Sequence, residues 1–167
     1  MLLPNLKNQK GFTLIELLTV ISIISILTAL LAVSFGTASQ RGRDGQRKSN
    51  IRQIQAALEL FRADNDSYPP AATYTVGTTT SVSVACNAVF TFNSITYMQK
   101  MPCDPESGTK YFYLPTPTNC SPTGSPCIGY TLASCIDNTA DKEATTTRPS
   151  TSMTACSPGY YFVATNP

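Results

Sequence analysis

Apolar side chains run almost unbroken from Phe12 to Phe35, as FTLIELLTVISIISILTALLAVSF, and a different rhythm follows. Between Gly11 and Gln40 the only ionisable side chain is Glu16. As a helix, 24 residues reach roughly 36 Å, enough to cross a bilayer core of about 30 Å. Thr13, Thr19, Ser22, Ser25, Thr28 and Ser34 interrupt the run. Their hydroxyls can bond back to helix carbonyls and so cost little in lipid, and small residues let helices approach closely. Beyond the run, Ile51, Ile54, Leu58 and Phe61 recur at helical spacing on one face. Arg52, Gln53, Gln55, Glu59 and Arg62 fall largely elsewhere, and Asp44 stands four residues before Lys48, a favourable helical pair. The pattern predicts one helix from about Phe12 to about Ala63, apolar all round in its first half and amphipathic in its second. Gly36, Gly42 and Gly45 weaken its middle by roughly 1 kcal/mol each and mark a bend. Asp64-Asn65-Asp66-Ser67, ahead of Tyr68-Pro69-Pro70, should end it.

The remainder reads as short strands and long loops. Thr73–Val76 and Thr80–Val84, with Gly77 between them, suggest a hairpin. Lys110–Leu114, Tyr130–Ile136 and Tyr160–Thr165 are aromatic or β-branched runs bounded by Gly or Pro, the best candidates for a small antiparallel sheet. Residues 115–126 and 138–157 read as loops, with Thr145–Thr154 a solvated stretch. The predicted fold is α+β, with the face Ile51/Ile54/Leu58/Phe61 packed on that sheet. The chain divides into a leader (1–11), a membrane-spanning or bundle-core helix (12–35), the amphipathic half of the helix (36–66) and a globular head (67–167).

Composition sharpens this picture. Charged residues are 13% of the 167, against roughly 25% in ordinary soluble domains. Two of the twelve basic residues, Lys7 and Lys10, lie in the leader, and ten acids balance the rest. Bulk charge therefore gives no support for nucleic-acid binding. The run Arg41, Arg43, Arg47, Lys48, Arg52 is the local exception. It reads by default as a solvated face; pairing with acids of neighbouring copies, headgroup phosphates or DNA is the alternative. Six cysteines, Cys86, Cys103, Cys120, Cys127, Cys135 and Cys156, lie in the C-terminal half, and there is no histidine. None stands at C-x-x-C spacing, so a zinc site is disfavoured and disulfides in an oxidising compartment are expected. Six cysteines allow 15 pairings; Cys135 with Cys156, closing a Thr-rich loop, is the preferred single bridge. No nucleophile–base constellation or phosphate-cradling loop is legible, so no enzyme activity or cofactor is expected.

The informative stretch is Lys10-Gly11-Phe12-Thr13-Leu14-Ile15-Glu16-Leu17-Leu18. An acid inside an apolar helix needs a partner, and no Lys or Arg follows within one turn. Lys10, six residues before, has poor helical geometry for the pair. A cut between Gly11 and Phe12 would create a cationic amine four residues before Glu16. In a bundle that amine could also meet the carboxylate of a neighbouring copy. An ordinary secretory signal is a poorer reading, because the apolar run is long and passes into a helical pattern instead of a cleavage site.

K-G-F-T-L-I-E-L followed by about twenty apolar residues resembles the processing site of type IV pilins and type II secretion pseudopilins. The resemblance implies cleavage after Gly11, N-methylation of Phe12, and Glu16, fifth in the mature chain, guiding subunit docking. Ala57–Phe61 with Asp64–Pro69, and Tyr97–Pro105 with Tyr111–Tyr113, are similar to the end of the long helix and to the approach to the first sheet strand in that family. Two departures stand out. Ala32-Val33-Ser34-Phe35-Gly36 lacks the proline many members carry in the apolar helix. Asp137, Asp141 and Glu143 could offer oxygens where the major pseudopilin has a calcium loop, but their spacing fits no template, and a solvated acidic loop is the preferred reading. Counting basic residues beside the run would put the head in the cytoplasm; the cysteines argue for export and are given more weight. The expected protein is a structural subunit of a type IV pilus-like filament, serving adhesion, motility or DNA uptake. A major-type pseudopilin of a type II secretion system and an uncleaved single-span ectodomain are the alternatives. Implied partners are further copies, related minor subunits, a prepilin peptidase/methyltransferase, an inner-membrane assembly platform and, before assembly, the membrane.

Overall fold

The computed structural model describes residues 11–70, 86–120 and 124–166. The leader up to Lys10 and the hairpin expected at Thr73–Val76 and Thr80–Val84 lie outside the described residues. Helix α1 spans Leu14–Asn65, and Gly36, Gly42 and Gly45 all remain helical within it. Two compact units divide at residues 39 and 40.

The first unit contributes the apolar part of α1. Leu14–Leu31 has a mean hydropathy of 2.5 over 18 residues, about 27 Å of helix, close to a bilayer core. Leu14, Ile15, Leu17 and the other large side chains up to Leu31 are all exposed. In water such a surface would be untenable; it requires lipid or other helices. Thr19 donates to the Glu16 carbonyl, Ser22 to Leu18, Ser25 to Ile21 and Thr28 to Ile24, at 2.7–2.9 Å. Each hydroxyl is thus satisfied by its own helix.

The second unit is the head. α1 buries Ile51, Ile54, Leu58 and Phe61, each at most 2% exposed, together with Asp44, Arg47, Asn50 and Ala57. Asp66 takes a left-handed conformation (φ 54°) that stops the helix, while Asn65 Nδ2 donates back to the Phe61 carbonyl. A two-stranded antiparallel hairpin follows, β1 (Phe90–Phe92) and β2 (Ile95–Met98). Asn93 and Ser94 both have positive φ, 47° and 65°, the twist that tight hairpins require. Phe90, Phe92 and Tyr97 close on Phe61 with ring centroids 5.2–5.6 Å apart. This hairpin is absent from the sequence reading, although Phe90-Thr91-Phe92-Asn93-Ser94-Ile95-Thr96-Tyr97 alternates around a turn-forming pair.

The main sheet is three-stranded and antiparallel, in the order β3 (Phe112–Thr116), β4 (Gly129–Ile136), β5 (Tyr160–Thr165). Tyr130 and Leu132 of β4 join the helix core, while Ala133 packs with Met153 and Tyr161 in a second cluster. The period-2 alternation of strand side chains makes the two layers. Thr145 is not solvated loop: it exchanges two 2.8 Å backbone hydrogen bonds with Tyr161. Disulfides join Cys86 to Cys103, Cys120 to Cys127 and Cys135 to Cys156. The last two tie down the loops on either side of β4. Cys127 also donates its N–H to Ser67 Oγ, and its carbonyl accepts from Tyr68 N, pinning its loop to the end of α1.

Candidate functional site: the capped apolar helix and its ionic anchor

Gly11 and Phe12 are exposed and precede the helix; Phe12 is 88% exposed. Thr13 and Glu16 close the helix N-terminus reciprocally. Glu16 Oε2 accepts from the Thr13 N–H at 2.8 Å and from its hydroxyl at 2.6 Å, while Thr13 Oγ1 accepts from Glu16 N at 3.3 Å. This is a capping box: the side chains satisfy amides that a helix start leaves unpaired, and the carboxylate sits at the positive end of the helix dipole. The lone acid therefore has a partner within its own chain. Sequence reasoning looked only for a basic residue and missed it, although T-x-x-E was legible. Neither Thr13 nor Glu16 contributes to the Gly11–Phe12 bond, so the box does not depend on that bond.

A second cluster anchors α1 within the head. Arg47, 2% exposed, lies among four carboxylates: Asp44 and Asp104 at 2.7 Å, Asp137 at 2.8 Å and Glu106 at 3.0 Å. Asp44 also accepts from the backbone N–H groups of Asp137 and Asn138, at 3.0 and 2.8 Å. Arg43 reaches Asp137 at 2.9 Å and Glu106 at 3.6 Å. Lys48 meets Asp141 and Glu143, both at 2.7 Å. Asn50 bridges α1 to the Tyr111 hydroxyl and the Cys103 carbonyl. Burial by itself pulls the pKa of the Arg47 guanidinium down, but the hydrogen bonds it donates to Asp104, Asp137 and Asp44 outweigh burial and raise it. Burial pushes Asp104, Asp137 and Asp141 up, yet the cations facing them hold all three below the usual carboxylate range. Desolvation, with Glu59 nearby, pushes the Tyr130 hydroxyl up to about 12.

Three sequence expectations are corrected here. Asp44 pairs with Arg47, not with Lys48: Asp44 is also held by the backbone N–H groups of Asp137 and Asn138, while Lys48 is drawn to Asp141 and Glu143 further along the same loop. Asp137, Asp141 and Glu143 are not a solvated acidic loop; they hold Arg43, Arg47 and Lys48. Most of the basic run is likewise not a solvated face. Among the described residues no group of three or more His, Cys, Asp or Glu side chains is arranged to hold a metal ion.

A sequence-family model described as the prokaryotic N-terminal methylation motif matches residues 6–32. The chain is 30% identical over 108 residues to type II secretion system core protein G of Pseudomonas aeruginosa, covering 65% of this chain and 75% of that protein. No solved structure matches the chain. The methylation motif spans the capped start of α1 and most of its apolar stretch. A helix bearing its apolar surface outward, continued into an α+β head, is the architecture expected of a single-pass membrane-anchored subunit. The chain belongs to the type IV pilin and type II secretion pseudopilin family.

Proposed function

We propose that this chain is a prepilin whose mature form is a structural subunit of a helical filament, with the pseudopilus of a type II secretion system as the leading assignment. One observation carries the subunit reading. Gly11 and Phe12 are exposed immediately before a helix whose capping acid, Glu16, stands five positions into the mature chain, within the matched methylation motif. A prepilin peptidase cuts the Gly11–Phe12 bond, and Phe12 is then N-methylated. The new amine lies one residue before Thr13, near the Glu16 carboxylate that caps the helix. When the apolar helices leave the bilayer and pack, that amine meets Glu16 of a neighbouring copy, and charge costly in lipid is neutralised only on assembly. The head is exported. Three disulfides suit an oxidising compartment, and the cations after the apolar run that would hold the head inside are largely committed: Arg43, Arg47 and Lys48 are paired with head carboxylates.

The secretion assignment rests on the relative, core protein G of a type II secretion system. A second reading, a surface pilus for adhesion, motility or DNA uptake, is favoured by the three disulfides, which suit a head that must last outside the cell. Intact-mass and N-terminal peptide mass spectrometry of unreduced native protein tests the processing. The expected product begins at methylated Phe12 and lacks six hydrogens for three disulfides. A chain beginning at Met1 with six free thiols would overturn both filament readings. Filaments visible on cells would then favour the pilus, and loss of protein export on deletion would favour the pseudopilus.

A further inference from the structure

Strand β4 outruns one of its two neighbours. β5 lies beside it from Thr131 to Ile136, whereas β3 begins only at Phe112, opposite Ala133. Tyr111, which would extend β3, is instead held by its hydroxyl to Asn50 and the Cys103 carbonyl. On the β3 side, Ser134, Cys135 and Ile136 thus have no strand beside them among the described residues. The far edge of the sheet fixes where the backbone points. Tyr161 exchanges both of its hydrogen bonds with Thr145, at 2.8 Å each. Its partner across the sheet, Cys135, therefore stands in a non-hydrogen-bonded pair, in which the two residues turn N–H and C=O away from each other. The N–H and C=O of Cys135 point to the β3 side, and neither has a hydrogen-bonding partner among the described residues.

A cavity of about 540 Å³ opens at this point, of a size that holds a small ligand or a few residues of chain. Its two walls differ, because side chains alternate across a strand. Cys135 shares a face with Ala133, and there Phe112, Met153 and Ala155 form an apolar wall. Ser134 turns the other way, to the side of Arg47 and Glu106. It is 4% exposed, and its hydroxyl is the single buried side-chain polar atom without a hydrogen-bond partner among the described residues. The ions on that side are already matched, since Arg47 holds both Asp104 and Glu106, so nothing here calls for a charged ligand. The unused capacity is one backbone N–H, one C=O and one hydroxyl beside an apolar wall. An extended peptide supplies the complement. Its backbone can bridge Cys135 as Thr145 bridges Tyr161. Residues opposite one another in a sheet share a face, so the bridging side chain lies against Phe112 and Met153, and the next one turns to the Ser134 side.

We propose that the cavity at the end of β4 captures an extended peptide segment of a partner protein by strand addition, through a two-bond bridge to Cys135, with an apolar residue at the bridging position and a polar residue beside it. A sheet edge gives affinity through main-chain bonds and selectivity through alternate side-chain pockets. Three open residues offer little area, which suits a passing partner over a permanent contact between copies. The site goes beyond the filament reading and does not depend on which filament the chain builds.

The test follows residue-resolved amide exchange in the full-length, detergent-solubilised chain, alone and with the acetylated, amidated pentapeptides TTVTT, TTLTT and TTDTT. In the free chain the Cys135 amide should exchange fast beside a slow Ser134, whose N–H lies in the β5 ladder. The valine and leucine peptides should slow the Cys135 amide. The aspartate peptide should bind about tenfold more weakly, because its charge meets an apolar wall. N-methylation of the central valine removes the N–H owed to the Cys135 carbonyl and should likewise cost about tenfold. Ala155→Trp, at an exposed position lining the cavity, should block binding while the near-ultraviolet circular dichroism of the head persists; should that variant misfold, the N-methylated peptide still decides. A Cys135 amide already protected in the free chain would mean that the chain covers its own edge and would overturn the proposal. So would peptides that leave that amide unchanged, or an N-methylated or aspartate peptide that binds as well as TTVTT.

Discussion

Arg47 is the residue whose removal should hurt the head most. Its guanidinium is 2% exposed and meets Asp44, Asp104 and Asp137 at 2.7–2.8 Å; those carboxylates are themselves only 2%, 12% and 14% exposed. Glu106, the fourth, is half exposed and counts for little. Arg47→Ala leaves three poorly hydrated carboxylates without the guanidinium that all three share, although Arg43 still reaches Asp137. Breaking one side of a buried ion cluster costs about 3–5 kcal/mol, because the charges left behind stay desolvated. Total stability is typically about 5–15 kcal/mol, so the variant should lose a large share of it. At about 2–4 °C per kcal/mol for a chain of this size, the head's melting transition should fall by roughly 6–20 °C. Near-ultraviolet circular dichroism of the detergent-solubilised chain reads this transition. A loss below about 1 kcal/mol would refute the reasoning, since it would mean that water reaches the cluster and that the ions behave as a surface pair.

The same cluster sets the acid response. Asp104, Asp137 and Asp141 are lowered in the folded state, so their stabilisation is present above the unfolded value of about 3.9 and is lost as pH falls through the folded values. Thermal scans should show little change from these groups between pH 7 and 5 and a decline below about pH 4, shallower in Asp137→Asn. Reducing the Cys135–Cys156 bridge, or replacing both residues with Ser, should cost about 2–4 kcal/mol and expose the loop between them to proteolysis; a protease-resistant double mutant would contradict its tethering role. Glu16→Gln keeps the length of the side chain but loses the carboxylate, so insertion should survive while filament yield drops sharply. Normal filaments from Glu16→Gln would refute a charge-dependent docking step. Thr13→Val removes the hydroxyl half of the cap and should cost about 1 kcal/mol of helix-end stability, seen as faster amide exchange over the first turn.

Several elements were determined by the sequence alone, because each depends on local chemistry. The apolar run from Phe12 can rest only in lipid or among other helices. The spacing of Ile51, Ile54, Leu58 and Phe61 marks one helical face whatever it packs against, and the Asp/Asn cluster at 64–66 ends the helix by its own turn preference. Tyr130–Ile136 and Tyr160–Thr165 declare themselves by β-branched and aromatic content between breakers. The register of Gly11, Phe12 and Glu16 likewise needs no partner to be noticed, and Thr13 as partner of Glu16 was within reach of a local rule. The short β1–β2 hairpin was legible too, but three- and four-residue strands give periodicity little to work on. What the tertiary structure decided is where the charges go. Asp44 and Lys48 satisfy a helical spacing rule worth a few tenths of a kcal/mol. That preference loses to a buried cluster assembled from residues 57 to 94 positions apart in sequence. No spacing rule reaches across that separation. The basic run looked solvated and the acids after β4 looked free because each is half of a pair, and only folding brings the halves together.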